Sequence, residues 1–150
     1  MSMNLPSVPY NAEAREKIWT RYIKEIPGEG FLFLPSCILG VGYPGSEAMI
    51  PKLFGLLGLD WNWNLGPESV CTCCSGIAYH CDVAPIESTL LTTARLWSLA
   101  QEAGYDAIAV ACVTSFGVHC ECFDLYHEEP GLKEKMDRGL MVACGRKFEL

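Results

Sequence analysis

The sequence predicts an α/β protein: a small parallel sheet of βα units with cysteines at the carboxyl ends of the strands, plus an N-terminal helix. Three observations lead there. Phe31-Leu-Phe-Leu34 and Asp106–Ala111 (DAIAVA) are short continuous apolar runs, as expected of strands buried on both faces. Around them, apolar residues recur at helical spacing, and strands alternating with helices imply a parallel sheet. Cysteines follow these runs closely, and in open parallel sheets ligands gather outside the carboxyl ends of the strands.

Taken in order, residues 10–26 read as a helix. Asn11 can cap it, and Ile18, Trp19, Tyr22, Ile23 and Ile26 recur at helical spacing before Pro27-Gly28 ends it. Phe31–Leu34 is the first strand, bounded by Gly30 and Pro35. Ser46–Leu57 reads as a helix with Ser46 as N-cap, Glu47 in its first turn, an awkward Pro51 and a terminating Gly58. Trp61–Pro67 is rich in turn signals, and a second strand is expected over Ser69–Thr72. Pro85–Ala103 is the clearest helix, with Leu90, Ala94, Trp97 and Ala100 on one face and Gly104 closing it. Asp106–Ala111 is the third strand. Helical stretches follow near Phe116–Tyr126 and Leu132–Gly139, and the apolar Leu140–Cys144 reads as a last strand.

A length of 150 residues, half of them apolar, is enough for one domain with a sizeable core. The net charge of -7 leaves no electrostatic footprint for nucleic acid or for an anionic membrane surface. No apolar run approaches the length of a membrane span. The first ten residues hold two prolines and no basic residue, so they do not read as a secretory signal. The expected compartment is the reducing cytoplasm.

The cysteines carry the chemistry. Nine stand in the chain: Cys37, Cys71, Cys73, Cys74, Cys81, Cys112, Cys120, Cys122 and Cys144. A disulfide framework is disfavoured by the odd count and by the vicinal Cys73-Cys74 pair, whose neighbours rarely reach relaxed disulfide geometry. What remains is a metal or cluster site, or thiol chemistry. Cys37 lies just past the first strand, Cys73 and Cys74 close the second, and Cys112 closes the third. Thirty-five residues (38–72) separate Cys37 from Cys73, and thirty-seven (75–111) separate Cys74 from Cys112, about one βα unit each.

This pattern resembles the cysteine-rich (CCG) domain family of the B-type subunit of heterodisulfide reductase. That family's motif is a cysteine, an interval in the thirties, Cys-Cys-Gly, a second such interval, then Cys-x-x-Cys. The match here is Cys37, then Cys73-Cys74-Ser75-Gly76, then Cys112-Val113-Thr114-Ser115, within a resemblance covering about residues 31–126. The chain departs from the motif in that Gly76 comes one residue late, Ser115 stands where the last cysteine should be, and only one copy of the domain is present. The resemblance implies a 4Fe-4S cluster, of non-cubane form where five cysteines are available, ligated by Cys37, Cys73, Cys74 and Cys112. Ser115, Cys71, Cys81, Cys120 and His119 are the candidates for a further ligand. It also implies an oxidoreductase component whose partners are other redox subunits, with a small thiol, disulfide or sulfur carrier as substrate. On this reading residues 1–30 are an N-terminal helical extension and residues 31–150 the iron–sulfur domain.

The remaining residues have plainer readings. Cys144, in an apolar run, reads as a buried small hydrophobe. Cys81, Cys120 and Cys122 divide between structural and supporting roles, and His80 and His119 read as surface or hydrogen-bonded histidines. A structural zinc module is the alternative function, although the paired Cys-x2-4-Cys knuckles it favours are absent. Gly40-Val-Gly42-Tyr-Pro-Gly45 with Asp60 mimics a dinucleotide fingerprint, but it begins six residues past Leu34 and Pro44 removes a backbone donor. Its glycines are better read as letting the backbone approach a group near Cys37.

Overall fold

The computed structural model describes Glu13, Lys17 and residues 30–35, 37–62 and 74–149. Of the expected N-terminal helix only Glu13 and Lys17 fall within that range, and both are helical. The fold is the α/β class expected from the sequence. Strand β1 (Phe31–Leu34) is followed by α1 (Cys37–Gly42) and α2 (Pro44–Leu56), then β2 (Trp61–Asn62). After them come α3 (Gly76–His80), α4 (Ile86–Glu102), β3 (Ile108–Val110), α5 (Val113–Glu128) and α6 (Pro130–Cys144).

The three strands form one parallel sheet in the order β2-β1-β3. Phe31 pairs with Trp61, and Leu34 pairs with Val110. The central position of β1 explains its unbroken apolar run, because all four of its residues are buried. The two faces are nevertheless distinct. Leu32 and Leu34 pack with Leu96 and Ala100 of α4, joined by Tyr105, Ile108 and Val110. Phe31 and Phe33 point the other way, edge-on to Phe54 of α2 at 5.2 and 5.3 Å, with Trp61 beside them. A second core lies away from the sheet, where α4, α5 and α6 enclose Leu90, Ala94, Val118, Cys122, Tyr126, Met136, Leu140 and Phe148.

Several local expectations are corrected. The helix expected from Ser46 starts at Pro44, with Tyr43 as its N-cap, because proline's fixed φ suits the first helical position. Pro51 sits inside this helix without ending it. Trp61-Asn62, expected as turn, forms the edge strand β2; its partner β1 supplies the pairing that so short a segment cannot signal alone. The strand expected over 69–72 and Cys73 lie outside the described residues, whereas Cys74 is described and lies in no strand. The expected last strand over Leu140–Cys144 is the end of α6, which stops at Gly145 in the left-handed conformation (φ 68°). Only Met136 and Leu140, four residues apart, are buried on α6. Cys144 is therefore exposed rather than a core residue, and its Sγ lies 3.3 Å from the Leu140 carbonyl it donates to. Gly40, Gly42 and Gly45 all lie in helices with ordinary φ, so the glycine pattern makes no phosphate-cradling turn.

Candidate functional site

Parallel pairing brings the ends of β1 and β3 to one edge. Leu34 and Val110 are direct partners, so Cys37, which opens α1, and Cys112, which caps α5, follow neighbouring strand ends. Cys37 is exposed and Cys112 half-buried. Cys112 keeps an extended backbone (φ -109°, ψ 125°) and precedes the positive end of a 16-residue helix whose first turn holds no acidic side chain.

Cys74 arrives differently. It is 8% exposed, and its Sγ accepts the Gly76 N–H at 3.4 Å. Ser75 between them is left-handed (φ 59°), an uncommon conformation for a residue with a side chain. Its turn is tied to α4, because Ser75 Oγ donates to Thr92 Oγ1 at 3.3 Å and Thr89 Oγ1 donates to the Ser75 carbonyl at 3.4 Å. Gly76 answers a separate demand. A Cβ there would collide with Val118 Cγ2 of α5 and lie 3.1 Å from Cys74 Sγ. The turn thus needs a left-handed residue at 75 and no side chain at 76. A motif with glycine at the first position meets the first demand freely; this chain places its glycine at the second.

Helix α5 runs along the other side of Cys74. Ser115, Val118, Cys122 and Tyr126 are its buried residues, spaced by three and four. Ser115, which stands in the motif's last position, is thus a buried first-turn residue. Cys122 is fully buried in the same core as Cys74 and donates to Thr93 Oγ1 at 3.6 Å. Burial, opposed by that hydrogen bond, pushes its thiol up to about 11, so it is neutral. Sequence reasoning left Cys122 undecided, and the 115–118–122–126 spacing was the signal that places it inside. Cys120 is half-buried, its thiol raised by burial and by Asp124. Cys81 is exposed at the end of α3. Tyr79 of α3 donates to Glu121 Oε1 of α5 at 3.3 Å and joins these helices.

His119 is more constrained than its sequence context implied. Trp97 Nε1 donates to its Nδ1 at 3.0 Å. Its Nε2 is buried and has no partner among the described residues. Burial lowers its pKa to about 4, so the ring is neutral. His80, by contrast, is exposed.

Cys71 and Cys73 lie outside the described residues. Among the described residues, no three His, Cys, Asp or Glu side chains converge on a single metal position. The donors nonetheless suit a soft, thiolate-bound group in their chemistry: a buried sulfur already accepting a backbone N–H, and two further cysteines at adjacent strand ends.

Over 115 residues, 77% of this chain, the sequence is 31% identical to the B-type subunit of the ferredoxin:CoB-CoM heterodisulfide reductase of Methanosarcina acetivorans. The chain spans about a third of that relative's length, 35% of it. No protein-family model matches the chain. The similarity relates this chain to the B-type subunits of heterodisulfide reductases.

Proposed function

We propose that this chain is an iron–sulfur redox subunit, with Cys37, Cys73, Cys74 and Cys112 as the ligands of a 4Fe-4S cluster. The observation that carries the reading is the 31% identity over 115 residues to a component of a heterodisulfide reductase. The pairing of Leu34 with Val110, which puts Cys37 and Cys112 past adjacent strands, supports it. When bound, such a cluster supplies one-electron chemistry.

The chain's own residues have definable tasks. The Ser75–Gly76 turn seats Cys74 against α5 and gives its sulfur a backbone N–H. The start of α5 offers further N–H groups beside Cys112. Ser115 presents a hydroxyl where the motif has a thiol, so the site holds one strong thiolate fewer. That favours electron transfer, or sulfur-linked redox work shared with partner subunits in a cytoplasmic complex, over a self-sufficient reductase. Residues 31–150 form the iron–sulfur domain and residues 1–30 an extension to it.

Anaerobic purification followed by iron and sulfide assays tests this directly. About four iron and four sulfide per chain are expected. Stoichiometric zinc without iron would instead identify a zinc-binding structural module.

A further inference from the structure

We propose that His119 serves the cysteine site as a hydrogen-bond donor, its Nε2–H directed to a sulfur of the bound group and raising that group's reduction potential. This rests on the iron–sulfur reading above.

An indole N–H can only donate, so the 3.0 Å contact from Trp97 makes His119 Nδ1 an acceptor. A neutral imidazole with an accepting Nδ1 carries its proton on Nε2. The ring is held in this state by its packing on Trp97 (centroids 5.9 Å apart), which is itself edge-on to Tyr126 and Phe148.

Nε2 is shielded from solvent and unpartnered among the described residues. An unsatisfied buried donor costs about 1–3 kcal/mol, and native proteins keep few of them. An acceptor supplied by a bound group removes that cost.

Cys112, Ser115 and His119 are spaced by three and four along α5, and therefore follow one side of the helix. Helical side chains lean toward the N-terminus, so the imidazole lies over the turn that bears Ser115. The neighbouring Val118 is the residue against which Gly76, and with it the Cys74 turn, is packed. His119 thus follows Cys112 and Ser115 along α5 and adjoins Val118, against which the Cys74 turn packs.

A metal on Nε2 would displace its proton while Nδ1 is still accepting from Trp97, leaving an imidazolate. Donation keeps the ring neutral. Hydrogen bonds to the sulfurs of a cluster stabilise its more negative, reduced form and raise the potential.

The test uses the intact, anaerobically purified protein. In wild type labelled with 15N-histidine, pulsed electron paramagnetic resonance of the reduced cluster should show a weak nitrogen coupling through a hydrogen bond, together with an exchangeable proton. His119→Phe should keep its iron, lose both couplings and titrate at a lower potential, while His119→Gln, which retains an N–H donor, should stay nearer wild type. A strong, directly bound nitrogen coupling in wild type, or none at all, overturns the donor role even if His119→Phe does not fold. So does His119→Phe with full iron and an unchanged potential. Wild type without iron overturns the iron–sulfur reading and this inference together, whereas the other results overturn the inference alone.

Discussion

The two faces of the sheet are covered in very different ways. On one, α4 buries eight residues, among them Leu90, Ala94, Leu96 and Ala100, and α5 and α6 extend that core. On the other, α1 and α2 have no buried residue. They meet the sheet mainly through half-buried Phe54, while Val41, Tyr43, Met49, Leu53 and Leu56 are exposed. Local stability follows buried apolar contact, so Cys74 is held by the stable side of the molecule and Cys37 by the looser one. The two cysteines therefore differ in burial: Cys74 is enclosed in the core and Cys37 is exposed.

Thiol reactivity breaks or sharpens this contrast most directly. In metal-free, reduced protein at neutral pH, an alkylating reagent should modify exposed Cys37 and Cys144 promptly. Buried Cys74 and Cys122 should react only through opening of the core, slower by about 10³-fold or more if opening costs roughly 4 kcal/mol. Mass spectrometry of the modified peptides gives the order. Equal rates at Cys37 and Cys122 would erase the distinction.

Paired truncations come next. Leu90→Ala, at a fully buried position of α4, should lose about 2–5 kcal/mol of stability in urea unfolding. Leu53→Ala, on α2 and 52% exposed, should lose only about 0.5 kcal/mol. A large loss at Leu53 would mean that α2 is covered by something not among the described residues.

Acid probes the packed side alone. His119 is neutral in the fold with its pKa depressed to about 4, against 6.5 ordinarily. Below pH 6.5 the unfolded chain takes up a proton that the folded chain refuses, so stability falls as pH drops from about 6.5 to 4. The loss is at most about 3 kcal/mol. His119→Phe should flatten this limb of the stability–pH curve, and an unaltered limb would place the acid sensitivity elsewhere.

Gly76→Ala should cost about 1–3 kcal/mol, because the new methyl meets Val118 Cγ2. Val118→Ala in the same chain should recover part of that loss, measured by thermal unfolding, and iron binding should follow the turn's integrity. Failure of the second substitution to help would show that the glycine is not needed for the α3–α5 approach.

Wherever one element's own periodicity sufficed, the sequence was a good guide. Phe31–Leu34 is apolar throughout because a central strand is buried on both faces. Leu90, Ala94 and Ala100 follow a helical period and are buried on α4. The misreadings have a shared cause. Leu140–Cys144 is a contiguous apolar run that fits strand and helix alike, and Leu140, packed against α4 and α5 a turn beyond Met136, decides for helix. Trp61-Asn62 carries no pattern of its own and becomes a strand only by pairing with Phe31-Leu32.

The site divides along the same line. Sequence alone determined that Cys37 and Cys112 follow parallel strands, because strand ends in βα units share an edge whatever the details of packing. Tertiary structure alone decided that Cys74 shares a core with Cys122, that Gly76 is needed by Val118, and that Trp97 turns the proton of His119 onto Nε2. Those are contacts between helices distant in sequence. Periodicity can say which face of a helix turns inward, but only the packed neighbour says what that face meets.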